Sequence, residues 1–316
     1  MRFSEAFNIT RRPADDWFDP HLSVDTKLFV DPLLVLLAEG RHWQGAHDEL
    51  IAHFVHCYRL VAQATGPQST SARAARRLLT FPEPSEVCLG FTADGTAGAG
   101  TGSMFARRMM DGIAVAIAAG LDNPEHIEEI GILNVGIGAD RISDAVCNVL
   151  KHRLIEYTRR VVRRHNIETE PHRVGNARVY LEQGRWHTET VELPTNPSTG
   201  EPVLLIPESF LNDLPTLNAE EWFNAHLNDD LRTQLNLAVG QRVRKEDIVE
   251  LARRHPDRVR RWAQEQTSRT DIRGYDFRLD RRGVVQWDRA TRVFVDSNPI
   301  NLRPPTNLAE LRELVS

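Results

Sequence analysis

Asp140, Arg141, Ser143 and Asp144 crowd the start of a helical pattern in GIGADRISDAVCNVLKHRL, residues 136 to 154. Asp140, Asp144, Asn148 and His152 recur every four residues, so neighbours in this row project the same way from a helix. Two carboxylates, an amide oxygen and an imidazole are donors suited to a hard divalent cation such as Mg²⁺ or Mn²⁺. A helix of 3.6 residues per turn rotates the row by about 40° per step, so at most three members can share one ion. One helix is therefore half a site. A structural reading competes with it: Asp140 is placed to cap a helix whose buried face is Ile142, Ala145, Val146, Val149 and Leu150, and the helix dipole favours Asp144 one turn in.

SVDTKLFVDP offers the other half. If residues 25 to 31 form a strand, Asp25, Lys27 and Asp31 project to one side. An acid and a lysine two residues apart are components of metal-dependent nucleases, the acid holding the ion and the ammonium orienting the attacked phosphate. On that reading Asp25, Asp31, Asp140 and Asp144 hold the metal, and Asp140, Asp144 and Lys27 act in catalysis. Asp19-Pro20 lies too close upstream to complete a PD-(D/E)xK pair, and a surface ion pair of Lys27 with Asp25 or Asp31 explains the same residues.

A third element is the glycine segment DGTAGAGTGSMFARR, residues 94 to 108. Gly98, Gly100 and Gly102 open the backbone to close approach, Ser103 is placed to cap the next helix, and Arg107 and Arg108 add positive charge. Amides at such a helix start cradle phosphate. Gly98, Gly100, Gly102, Ser103, Arg107 and Arg141 are thus the phosphate- or cofactor-binding candidates. The segment lacks the Gly-Lys-Ser/Thr ending of a Walker A loop and the spacing of a dinucleotide fingerprint, and a plain surface loop is the alternative. His42, His47, His53, His56 and Cys57 lack a second ligand pair at zinc-like spacing and read as satisfied surface and boundary residues.

The elements that position these groups follow from periodicity. Helical spacing predicts helices over 48–64, 71–81, 104–120 and roughly 140–165, with 216–268 mostly helical. A strand is expected at 86–92. Further strands are expected between 172 and 215, around the Asn-Pro-Ser-Thr-Gly turn at 196–200, and a hairpin at 275–288. The fold class is α+β, predominantly helical with a small central β-sheet and a C-terminal β-hairpin. Its regions are 1–170, 171–215 and 216–316. The last closes on NLAELRELVS, a helical pattern without a C-cap, which suggests a trimmed chain or a docked tail.

Composition bounds the function. The 316 residues are 41% hydrophobic and 26% charged, the profile of a globular protein with a real core. No apolar run is long enough to span a bilayer, and the first residues lack a signal-peptide core, so a cytoplasmic location without membrane is expected. Cys57, Cys88 and Cys147 read as reduced, buried thiols. A net charge of −5 opposes bulk nucleic-acid coating. Arginine nevertheless outnumbers lysine 36 to 3, and arginine forks suit phosphate. The cluster Arg159, Arg160, Arg163 and Arg164 is explained by a helix C-terminus. The segment from Arg253 to Arg292 is the better phosphate-facing candidate.

Taken in order, WFDPHLSVDTKLFVDP, GAGTGS, GIGADRISD and LPTNPSTGEPVLLIPESFLNDLP resemble an uncharacterised group of bacterial proteins, over most of residues 17 to 290. Longer members of that group carry a C-terminal restriction-endonuclease-like, PD-(D/E)xK domain. The resemblance implies a role in anti-phage defence and assigns no catalytic residue. This sequence has no downstream acid followed by an E-x-K strand. The implied function is a nucleic-acid- or nucleotide-binding sensor or scaffold that works with a nuclease or other effector subunit, or with further copies of itself. The alternative is a metal-dependent nuclease or nucleotide hydrolase using Asp25 and Asp31 with Asp140 and Asp144.

Overall fold

The computed structural model describes residues 1–23, 25–89, 101–226, 243–277 and 279, and of 101–103 only the backbone. After a one-turn helix α1 (Phe3–Ala6), a two-residue strand β1 (Phe29–Val30) runs into α2 (Pro32–Leu36). The helices α3 (Ala46–Ala62), α4 (Thr70–Leu78), α5 (Thr101–Ala118), α6 (Glu128–Ile132), α7 (Ala139–Val149) and α8 (Lys151–His165) follow. A hairpin of β2 (Glu170–Tyr180) and β3 (Arg185–Leu193) precedes β4 (Leu211–Asn212), α9 (Ala219–Ala225), α10 (Lys245–Arg254) and α11 (Pro256–Thr267). The fold is α+β with helices dominant.

Sheet structure is smaller than expected. β1 pairs antiparallel with β4, Phe29 opposite Asn212, and β2 pairs antiparallel with β3. The apolar run Val203–Ile206 is buried but extended rather than a strand, because its amides bond to scattered acceptors: Leu204 to the Glu86 carbonyl at 2.7 Å and Leu205 to the Thr158 hydroxyl at 2.9 Å. The strand expected at 86–92 is instead a 3₁₀ turn, Ser85–Val87, followed by Cys88 at φ +52°, as far as the described residues go. The 275–288 hairpin and the C-terminal helix lie outside the described residues, apart from 275–277 and 279. One hydrophobic core runs from Phe3 to Ile272, so the three sequence regions share it.

Helix α7 sits at its centre. From Ile142 to Leu150 every residue is buried, and Lys151 continues the buried stretch. A helix buried on all sides has packed neighbours on all sides; here they include β1, α3, α8 and β2. Polar groups on α7 fasten those neighbours. Ser143 accepts the Val30 amide at 3.0 Å. Asn148 donates to the Pro82 and Asp144 carbonyls, each at 2.8 Å, and accepts from Asn176 at 3.0 Å. Asn176 reaches it from a bulge in β2, where its φ of +52° suits asparagine. The single helix expected over 140–165 bends at Leu150 (φ −93°, ψ 10°), and beyond the bend the Lys151 ammonium is buried against Glu86 and the Gly175 carbonyl.

Cys57, Cys88 and Cys147 are free and buried, as composition predicts. Among the described residues no helix is long and apolar enough to cross a membrane.

Because Asn148 joins α7, the loop after α4 and the β2 bulge, Asn148→Ala should lower stability by about 2–3 kcal/mol, leaving buried partners unsatisfied. Urea unfolding checks this, and a loss under about 0.5 kcal/mol would show that the network is dispensable.

Candidate functional site

The first turn of α7 is where the core meets the surface. Gly138 occupies the N-cap position in extended conformation with no side-chain cap, so Asp140 is not the cap that its position in the sequence suggests. Asp140 and Arg141 are half-buried; Asp144, one turn in, is only 6% exposed. The Arg141 guanidinium lies 3.6 Å from the Asp144 carboxylate and 5.0 Å above the Phe105 ring of α5. This cation does not fully compensate Asp144. Burial, then the charge of Asp140 and, more weakly, that of Glu83, push the Asp144 carboxyl up to about 8, against the opposing pull of Arg141 and Lys151. At neutral pH the folded chain keeps it mostly protonated.

Two further acids belong to this cluster. Glu83, on the proline-flanked turn after α4, is raised by desolvation and by the charges of Asp25 and Asp140. Asp25 also helps burial to push the Cys88 thiol up to about 12. Asp140 itself is raised by burial, with Arg141 opposing. Carboxylates from three distant segments therefore act on one another at one end of α7. The backbone delivers the ends of the glycine segment to the same place. Thr26, next to Asp25, bridges to Leu89, the last described residue before the segment. On its far side Phe105 lies beneath Arg141, and Arg108 packs beside Gly136.

The structure separates other residues that the sequence groups together. Residues 25–31 are not a continuous strand: the Leu28 amide bonds back to the Thr26 carbonyl at 2.7 Å, and this tight turn breaks the alternation. Asp31 is buried and structural. It caps α2 through the Leu33 amide at 3.1 Å and accepts the Thr216 amide and hydroxyl at 2.8 and 2.6 Å. Among the described residues no three His, Cys, Asp or Glu side chains are grouped to hold one metal ion, so the expected Asp25, Asp31, Asp140 and Asp144 shell is not assembled. Lys27 is exposed, and the lysine whose charge reaches Asp144 is the buried Lys151. The row from Asp140 to His152 also divides, since Asn148 is fully bonded within the core and His152, past the bend, sits 3.3 Å from Glu49.

Gly98 and Gly100 lie outside the described residues. Gly102 and Ser103 fall inside the first turn of α5, which begins at Thr101, so Ser103 is not its cap. Arg107 and Arg108 are exposed on α5. In the C-terminal arginine-rich segment several side chains bond within the chain: Arg253 to the Leu133 carbonyl and Arg260 to the buried Glu129, and, in exposed surface pairs, Arg254 to Glu250 and Arg269 to Asp271. Of the histidines, His53 is a core residue, fully buried with Nε2 on the Leu78 carbonyl at 3.2 Å, and burial lowers it to about 3.

Sequence reasoning missed Glu83 and the buried acids Glu128 and Glu129. Their signal is legible in retrospect. HIEEIGIL sets two acids inside a run of isoleucines, where a packed helix has no solvent to offer them.

Asp144→Asn tests the cluster through stability. The raised carboxyl keeps its proton in the folded chain from about pH 4 to about 8, where the unfolded chain has lost it, so stability is full below this window and falls as pH rises through it. An asparagine cannot titrate. The variant should therefore gain roughly 4 kcal/mol on the wild type between pH 5 and the alkaline side of the window, measured by urea unfolding. A difference independent of pH would contradict the assignment.

The model of the family described as "Domain of unknown function (DUF8370)" matches residues 8–218. No curated protein and no solved structure matches the chain. Asp25, Glu83, Asp140, Arg141 and Asp144 all fall inside the matched region, which ends just before α9. With more than half of its length within that match, the chain belongs to the DUF8370 family.

Proposed function

We propose that this chain is the sensing component of a bacterial antiviral defence system, acting in the cytoplasm. It binds the phosphate of a nucleotide or nucleic acid at the amino end of α7 and works with a nuclease or other effector subunit, or with a second copy of itself. The observation that carries the reading is the gathering of Glu83, Asp140 and Asp144 around Arg141, with the charge of Asp25 acting on Glu83 and Asp144 held mostly protonated at neutral pH. Strongly perturbed carboxyls gathered at a helix start are the arrangement that functional sites use to tune acids. The defence role and the effector partner rest on the order of sequence motifs.

Phosphate alone would be repelled by ionised acids. A divalent cation, Mg²⁺ or Mn²⁺, arriving with it would let Asp144 and Asp140 ionise, while Arg141 and the uncapped α7 amides face the phosphate oxygens. The cation would displace a proton from Asp144, so binding should release protons. A second reading, a metal-dependent phosphate hydrolase, is favoured by the same carboxyl: an acid titrating near 8 can protonate a leaving oxygen.

Calorimetry with ATP, single-stranded DNA and RNA, in Mg²⁺, Mn²⁺ or EDTA and in buffers of different ionisation enthalpy, tests the proposal. Binding is expected to require the divalent ion, to release up to about one proton per site near pH 7, and to be lost in Asp144→Asn and Arg141→Ala. Release of inorganic phosphate or cleavage of the strands would select the hydrolase. Absence of binding, or binding indifferent to both the metal and Asp144→Asn, would overturn the proposal.

A further inference from the structure

We propose that a second ligand site, built around Glu128, lies on the other flank of the α7 start and takes a small zwitterion with an apolar side chain, the chemistry of an aliphatic amino acid. A cavity of about 140 Å³ opens between α6, the turn into α7 and the segment leading into α9. Liquid water would fill it with about five molecules. Gly131, Ile137, Ile142, Leu214 and Leu217 make most of its wall apolar. Glu128 lines it too, 1% exposed, with neither carboxyl oxygen in a well-formed hydrogen bond; only the backbone amides of Glu128 itself and of Leu33, the latter already bonded to Asp31, lie near enough to favour its charge.

A buried carboxyl with no well-formed hydrogen bond is unfavourable as an ion and as a neutral acid, and such a group calls for a physical explanation. Its surroundings supply no cation. The charged groups that act on Glu128 are Asp31 and Glu129, both acids, and Glu129 is already held by Arg260 at 3.0 Å. Burial, with the charge of Asp31 added, holds the Glu128 proton in place. An ammonium group entering the cavity would let the carboxyl ionise and would give it the bond that it lacks.

The opposite character is found where the cavity meets α7. Gly138 and Ala139 line it at the uncapped start of this 11-residue helix, and a Cβ built on Gly138 meets nothing within 4 Å. The backbone there is open to a ligand. Amides and dipole favour a carboxylate at that end, and Lys245 on the rim adds positive charge beside Glu220. An amine alone would leave the helix start unmatched, and a carboxylate alone would leave Glu128 unmatched. A molecule carrying both, with an aliphatic side chain against the apolar wall, satisfies each surface. Asp25, Glu83 and Asp144 take no part in this site, but its carboxylate end uses the same uncapped α7 amides as the proposed phosphate site, so the two ligands are expected to compete, while Glu128 and the apolar wall belong to this site alone.

Isothermal titration of the full chain with L-leucine, and with pentylamine and valerate as its two halves, tests the site. Leucine is expected to bind saturably and each half at least about tenfold more weakly, a loss of about 1.4 kcal/mol or more. Glu128→Gln, which keeps the shape and removes the charge, should weaken leucine at least about tenfold. Lys245→Ala, on the exposed rim, should weaken it a few-fold, and less at high salt. Should Glu128→Gln fail to fold by circular dichroism, the Lys245→Ala and half-molecule measurements decide. No saturable leucine binding, pentylamine or valerate binding as tightly as leucine, or full affinity in a folded Glu128→Gln would overturn the proposal.

Discussion

From Ile142 to Lys151 the chain passes through the protein with no exposed residue, and what surrounds that passage depends on it. A helix packed on every side cannot rotate or slide without opening cavities in its neighbours, each costing of order 1 kcal/mol or more per buried methyl-sized void. Ser143 fastening Val30, and Asn148 fastening the Pro82 turn and the β2 bulge, add directional bonds to that packing. The start of α7 is therefore held in a fixed place and orientation. Side chains on its first turn meet the segments carrying Asp25 and Glu83 without either segment needing regular secondary structure of its own.

That rigidity explains how the protein tolerates an acid cluster at the edge of its core. Asp144 belongs to a helix whose remaining faces are buried, so it cannot swing into water, and it adapts by holding its proton. Arg141 is drawn both to Asp144 and to the Phe105 ring, and so bridges α7 to the helix that follows the glycine segment. On the opposite flank of the same turn, Glu128 is a carboxyl with no compensating cation. Desolvated acids on both sides of one helix start are a persistent penalty to stability, of the kind that proteins retain at binding sites.

The sequence was legible where one physical rule decided the outcome. The amphipathic stretches of α3, α4 and α5 declared themselves through spacing, because each turns one apolar face to the core. It was not legible where a distant backbone group intervened. Asp25 and Asp31 look equivalent in SVDTKLFVDP, yet Thr216, 185 residues further on, takes Asp31 into the interior, and one bond between Leu28 and Thr26 removes the strand that would have aligned the two. Val203–Ile206 reads as a strand and is buried like one, but its amides bond to the 3₁₀ turn at Glu86 and to the Thr158 hydroxyl of α8 and not to a neighbouring strand. Asp140 and Asp144 were visible as a pair from their spacing. Glu83 was not, since its part depends only on how the turn after α4 folds against α7.

The central claim is that Glu83, Asp140 and Asp144 share one poorly hydrated environment, with the charge of Asp25 beside Glu83. Carbon-detected NMR titration of the aspartate carboxyls in the full chain tests it most directly. The account predicts that the Asp144 carboxyl titrates near 8 and that its midpoint falls when Asp140 is replaced by Asn or Glu83 by Gln. An Asp144 midpoint near 4, the ordinary aspartate value, unmoved by either substitution, would contradict it.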